Sequence, residues 1–204
     1  MGDGNLVPFL LILIVLSCQG DVTMEKKTKE KTSAGEELFG WAQSLIWALL
    51  ALVLISSFFV RISGVSGSSM YPTLKNNDRV LVRLSQSYQP ERGDLIVVMA
   101  PNYDPEPLVK RVIALAGDVV EVEEGGIVFV NGEELTEGYV NEAYFGPGDR
   151  EYPYTVPEGC VFVMGDNRNH SADSRLTMVG ALKESDIIGK VFFRIWPIGS
   201  FGGI

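Results

Sequence analysis

A mainly β domain of antiparallel, strongly bent sheets, preceded by one transmembrane α-helix, is the fold class this sequence predicts. Three observations carry that expectation. A single uncharged apolar run of membrane length, Trp41 to Val60, stands in the first third of the chain. Beyond Arg61, short runs rich in Val, Ile and Phe recur between clusters of Gly, Pro, Asn and Asp, the punctuation of strands joined by turns. Helical periodicity in that region is weak, with Met178–Ser185 the best short candidate.

The membrane run comes first. About 20 residues at ~1.5 Å each match the hydrocarbon core of a bilayer. Trp41 and Trp47 lie near one end, and Phe58, Phe59 and Arg61 near the other, as interface anchors do. Lys26, Lys27, Lys29 and Lys31 precede the run, and few cations follow it closely. The positive-inside rule then makes 24–40 a cytoplasmic lysine-rich segment and 41–60 the transmembrane helix. Residues 61–204 become an extracytoplasmic domain. Residues 1–23 have three readings: an over-extended translation start, a first membrane helix, or a processed leader. Leu6 to Cys18 is apolar but short for a span, and Met1–Asn5 has no positive charge. Met24, opening the lysine-rich stretch, is the more natural start.

Strands are expected at Asp78–Leu84, Asp94–Ala100, Leu108–Leu115, Val119–Glu123, Ile127–Val130, Cys160–Met164 and Ile187–Ile195. Glu123-Glu124-Gly125-Gly126 joins two of them as a hairpin, and Asn131-Gly132 marks a further tight turn. The loop-rich stretch Tyr139 to Pro157 reads as an insertion or an extended hairpin.

Composition narrows the partners. The formal net charge is −9, and without a basic stripe nucleic acid is not an expected partner. The two cysteines, Cys18 and Cys160, lie in unlike settings, and no Cys/His spacing suggests a metal. Neither a metal nor a cofactor is expected.

Three clusters can carry chemistry. In Ser66-Gly67-Ser68-Ser69-Met70-Tyr71-Pro72-Thr73-Leu74, Gly67 tolerates positive φ and Pro72 stiffens the turn, so one hydroxyl can be exposed beside free amides. An ordinary Ser/Gly linker reads the same way from this stretch alone. In Leu108–Asp118, Lys110 and Arg111 point to opposite faces of an apolar strand. A lysine driven into an apolar site loses basicity and can accept a proton, whereas on an edge strand both cations would snorkel to water. In Gly165–Arg175, many polar side chains follow an apolar strand and must satisfy one another. Asp173 and Arg175 are spaced to pair, and a solvated turn is the plainer alternative.

His170, the only histidine, would be the base of a Ser-His-Asp triad. Ser69, however, does not lie in a Gly-x-Ser-x-Gly elbow, because Tyr71 takes the last position. A Ser-x-x-Lys start is missing too, since Pro72 falls three after Ser69. His170 is read as a polar loop residue.

Taken together and in this order after a membrane helix, Ser69-Met70-Tyr71-Pro72-Thr73-Leu74, Lys110-Arg111-Val112, Gly165-Asp166-Asn167-Arg168 and Ser171-Ala172-Asp173-Ser174-Arg175 resemble the boxes of bacterial type I signal peptidases. Gly93-Asp94-Leu95-Ile96-Val97-Val98 resembles an intermediate box. The resemblance implies a mainly β domain of two antiparallel sheets, anchored in the bacterial cytoplasmic membrane with its catalytic domain on the extracytoplasmic side. It implies a Ser/Lys endopeptidase that removes signal peptides from exported preproteins, with signal peptides and the lipid bilayer as partners. Ser69 matches the nucleophile, Lys110 the general base, and Ser171 the hydroxyl that orients the amine. Asp173 and Arg175 match a structural ion pair with Arg111 beside them. Val65, Met70 and Val109 would bind substrate, in shallow pockets that select Ala-x-Ala.

Gly67 stands where some members have a serine that helps the oxyanion hole, so the backbone of Gly67 and Ser69 is the expected donor set. Ala114 and Ala116 stand where the family has glycine and proline. Two other readings are a self-cleaving Ser/Lys protease of the repressor type and a non-catalytic, membrane-tethered β binding module.

Overall fold

The computed structural model describes residues 34–84, 88–140 and 145–204; the extension 1–23 and the lysines before the membrane run lie outside the described residues. Two compact units divide between Ala48 and Leu49, within the first helix.

Helix α1, Ala34–Phe59, is longer than the uncharged run at its N-terminal end. Its extra residues include Ala34, Glu37 and Leu38, good helix formers that need no apolar face to continue the helix. Glu37–Leu54, with mean hydropathy 1.6, is long and apolar enough to cross a membrane, and none of that window is buried by protein. Val60 leaves the helix and opens strand β1, Val60–Gly64. Nothing in the sequence marked this strand, because five residues of mixed character directly after a helix show no period of their own.

Eleven further strands follow: β2 Arg79–Leu84, β3 Leu95–Ala100, β4 Asp104–Ala114, β5 Val119–Val122, β6 Val128–Val130, β7 Glu133–Glu134, β8 Tyr154–Thr155, β9 Cys160–Met164, β10 Leu182–Lys183, β11 Ile187–Trp196 and β12 Gly202–Gly203. All the strand pairings are antiparallel. The larger sheet has the order β1-β2-β11-β3-β4-β9-β10, with β12 beside β11; the smaller has β7-β6-β5-β8. The mainly β class with antiparallel sheets is therefore the observed one.

The large sheet is locally irregular. The two longest strands, β4 and β11, lose register where they cross their partners, at Val98/Ala100, Val112/Ala114, Ile187/Gly189, Val191/Phe193 and Arg194/Trp196. Each extra residue kinks its strand and increases the local twist. The hairpin at Glu123–Gly126 joins β5 to β6. At the next turn Asn131 (φ 55) and Gly132 (φ 79) both take positive φ, the geometry an Asn-Gly pair favours in a two-residue hairpin.

One expectation is corrected. Met178–Ser185 is not a helix: Gly180 (φ 72) turns the chain, Leu182–Lys183 pair with β9, and Glu184–Asp186 form a single 3-10 turn. Val179 and Leu182 are buried in one cluster with Val161 and Val163, so tertiary packing overrides the weak local period. The loop-rich stretch Tyr139–Pro157 carries one short strand, β8, which pairs with β5.

The small sheet does not stand alone. Val120, Val122, Val128 and Val130 share one core with Ile113, Ala114, Phe162 and Met164 of β4 and β9. A second core gathers Val65, Met70, Leu74, Val80, Val82, Leu95, Val97 and Val191 under the Ser69 turn. The two cores place that turn, β4 and the loop after β9 around one point.

Candidate active site

Ser69 occupies a hydrogen-bonded turn, with Tyr71 N donating to Ser68 O (3.0 Å) and Leu74 N to Met70 O (2.8 Å). Met70 and Leu74 anchor it in the core, at 1% and 0% exposure. Gly67 takes φ 88 at the entrance, a conformation open to glycine. A second latch comes from the polar loop: Asn167 N donates to Ser69 O (2.9 Å) and Asn167 Nδ2 to Ser68 O (3.0 Å). Asn167 was not singled out from the sequence. Its signals were membership of a polar loop that had to find partners and of the box Gly165-Asp166-Asn167-Arg168.

Lys110 lies in β4 opposite Ile96 and is 3% exposed. Its Nζ donates to Ser171 Oγ at 3.1 Å. Burial pulls the amine down from its ordinary 10.5 to about 8. Asp173 and Asp166 pull the other way and Arg175 adds to the lowering, but loss of water is the largest cause. At pH 7 a minority of this lysine, about a tenth, is therefore an unprotonated amine, with a lone pair as well as N–H donors, and the share grows as pH approaches 8.

Gly165 ties the serine turn to the lysine. A Cβ built on it would lie 2.3 Å from Ser171 Oγ and 2.5 Å from Ser69 O. Only a residue without a side chain lets the turn and the Ser171 hydroxyl close on that point. Arg111 leaves the strand on the other side from Lys110 and donates to both oxygens of buried Asp166, at 2.8 and 2.7 Å. Thr73 Oγ1 also donates to Asp166, so this carboxylate joins β4 to the Ser69 turn. Arg175 donates to Asp173 at 2.9 and 3.0 Å, and Asp173 Oδ2 accepts Gly165 N–H at 3.1 Å. Arg111 thus pairs with Asp166, earlier in the same loop than the Asp173–Arg175 pair.

One expected role is corrected. Gly67 N–H, counted as an oxyanion donor, donates to Asn76 Oδ1 at 3.0 Å and is already engaged. Ser69 N–H has no protein acceptor among the described residues. His170 is exposed at the end of a 3-10 turn, Arg168–His170.

Beside Ser69 opens a cleft of about 250 Å³, lined by Val65, Met70, Val82, Val97, Leu108 and Val109, with Arg61 and Glu106 also at its walls. All three residues expected to bind substrate, Val65, Met70 and Val109, lie on it. Among the described residues no group of three or more His, Cys, Asp or Glu is placed to hold a metal ion.

A sequence profile described as signal peptidase, peptidase S26, matches residues 38–196. The chain belongs to the signal peptidase family. It is similar to signal peptidase I S of Bacillus subtilis, at 34% identity over 82% of this chain and 94% of that one. A probable signal peptidase I of Synechocystis is 40% identical over 78% of this chain and 83% of its own. A solved signal peptidase I from Enterococcus faecalis is 32% identical, covers 50% of this chain and 97% of that chain, and superposes with a TM-score of 0.42. Membership makes this chain a serine peptidase. Its sequence boxes therefore belong to a hydrolase of the signal peptidase type, rather than to a non-catalytic β module.

Proposed function

We propose that this signal peptidase family member is a membrane-anchored endopeptidase that cleaves signal peptides from exported preproteins, with Ser69 as nucleophile and neutral Lys110 as general base. The observation that carries this reading is Lys110 itself: a buried amine on β4, lowered to about 8, that lies 3.1 Å from Ser171 of the polar loop latched to the Ser69 turn.

The chemistry follows from those groups. Lys110 takes the proton of Ser69 Oγ as the oxygen attacks the scissile carbonyl, because a serine hydroxyl is a poor nucleophile until a positioned base removes its proton. Ser171 Oγ accepts an amine N–H and so leaves the lone pair to be aimed elsewhere. Ser69 N–H receives the developing oxyanion. The lysine ammonium then protonates the leaving amine. The same amine, neutral again, activates the water that hydrolyses the acyl-enzyme.

The substrate binds extended in the cleft, along strand backbone that offers hydrogen bonds. Walls of Val65, Met70 and Val109 select small side chains, the Ala-x-Ala pattern before the cleaved bond. α1 supplies the anchor, and the catalytic domain that starts at β1 faces the extracytoplasmic side, opposite the lysines before the helix.

The test is cleavage of a preprotein with an Ala-x-Ala site by the detergent-solubilised full chain. Ser69→Ala and Lys110→Ala are each expected to lower kcat/KM by roughly 10³-fold or more, while His170→Ala keeps most activity. Activity that survives Lys110→Ala but is lost in His170→Ala would sink the Ser/Lys assignment. A second measurement is pH. The acidic limb of kcat/KM reports the base in the free enzyme, so activity should fall as pH drops through about 8. A limb near 6 would point to histidine instead.

A further inference from the structure

The loop that carries Gly165 is held from outside the large sheet. Arg168 is fully buried, and its Nε donates to Gly165 O at 3.0 Å. Its other two nitrogens donate to both carboxylate oxygens of Glu137, Nη1 to Oε2 at 2.8 Å and Nη2 to Oε1. Glu137 belongs to the segment that leaves the small sheet after β7. That segment is fixed by Leu135 N donating to Val128 O (2.8 Å) and by Leu135 and Val140 packing on the small-sheet core. Tyr139, two residues on, donates its hydroxyl to Glu137 Oε1 (2.9 Å) and lies under the Arg111 guanidinium, 3.9 Å from Cζ to the ring centre. Phe145 of the same segment sits below Arg168 and Arg175.

Gly165 is therefore gripped on both of its peptide groups. Arg168 holds the carbonyl and Asp173 holds the N–H. Its Cα is the point against which Ser69 O and Ser171 Oγ close. We infer that Glu137, in the segment that follows the small sheet, is a positioning residue for catalysis, acting through Arg168 to fix Gly165 and with it the spacing between Ser69 and the Ser171–Lys110 pair; this rests on the Ser/Lys reading. The small sheet then serves as a brace for the active site as well as a cover for the β4–β9 core. An unbraced Gly165 would let water reach Lys110, and less desolvation raises the amine towards an ordinary lysine.

The experiment compares wild type, Glu137→Gln, Glu137→Ala and Arg168→Lys in the full chain, each melted first to establish folding. Arg168→Lys keeps a cation for Glu137, but one amine cannot also reproduce the separate Nε bond to Gly165 O. Expected are a fall in kcat of about tenfold or more with KM little changed, because a small misplacement at the reacting groups costs rate, and an acidic limb displaced to higher pH. Glu137→Gln, which keeps one acceptor, should lose less than Glu137→Ala.

Folded variants with wild-type kcat and an unmoved limb would overturn the inference, as would an effect confined to KM. If the Glu137 variants do not fold, Arg168→Lys decides, and its failure to fold would mark the pair as purely structural. Lys110→Ala is the control: persistent activity there removes the Ser/Lys reading itself, whereas a Lys110-dependent enzyme indifferent to Glu137 removes only the inference.

Discussion

Gly165→Ala is expected to leave a folded protein with at least about 100-fold less cleavage activity, since displacement of reacting groups by about 1 Å costs that much. The added methyl would stand 2.3 Å from Ser171 Oγ, 2.5 Å from Ser69 O and 2.6 Å from Ser171 Cβ. Real Cβ atoms do not approach heavy atoms that closely, so either the serine turn or the Ser171 segment must move. Ser69 O is held by Asn167 N–H, and Ser171 Oγ holds the lysine amine. Whichever side yields, Ser69 and Lys110, the proposed nucleophile and base, are expected to separate. The sheets have less to lose, because the nearest atoms the added methyl meets belong to Ser69 and Ser171, in the turn and the loop, and not to a strand. Far-UV circular dichroism and a melt should resemble wild type while preprotein cleavage collapses. Near-wild-type kcat/KM in Gly165→Ala would show that Ser69 and Ser171 need not close at this point.

Lys110→Met should abolish cleavage and yet stabilise the domain at neutral pH. The amine is charged in the unfolded chain up to 10.5 but in the folded chain only up to about 8. Below about 8 both states carry the charge, and the folded state carries it in a dry site. That difference corresponds to a penalty on the order of 3 kcal/mol. Between the two values the unfolded chain holds the proton that the folded chain has released, so stability rises with pH through that window. Above 10.5 both forms are neutral and the penalty is gone. Methionine fills similar volume without a charge. The variant should melt above wild type at pH 7, with the gap closing as pH approaches 10.5. A Met variant less stable than wild type at pH 7 would mean that the lysine supports the fold more than it strains it.

Much of this site was legible in the linear chain because its chemistry depends on residue type. A serine beside glycine and proline, a lysine inside an apolar strand and a polar loop after another strand are visible without coordinates. The seven expected strands all exist, with ends within a few residues, because alternating Val and Ile between turn formers have few other ways to bury themselves. β1 was not legible, since its five residues, Val60–Gly64, follow the helix directly and are too few and too mixed to show a period. Met178–Ser185 misled for the opposite reason: a faint helical period lost to the burial of Val179 and Leu182.

The oxyanion set also depended on a contact that no spacing encodes. Asn76 lies nine residues from Gly67, and its side chain takes the amide that sequence reasoning had left free. Glu137 escaped notice entirely. A glutamate after a short strand looks like any solvated charge, and only the long-range meeting with Arg168 gives it a task.

By itself, the sequence determined the class of fold, the candidate nucleophile, base and orienting hydroxyl, and the family, because these rest on local pattern and on residue chemistry. The tertiary structure alone decided how they are held together. Gly165 sets the distance between two segments about a hundred residues apart in the chain, Asn167 and Asp166 latch the turn to the loop, and burial lowers the lysine. Each of these is a property of which atoms exclude water from which, and that is settled only when the two sheets close on one another.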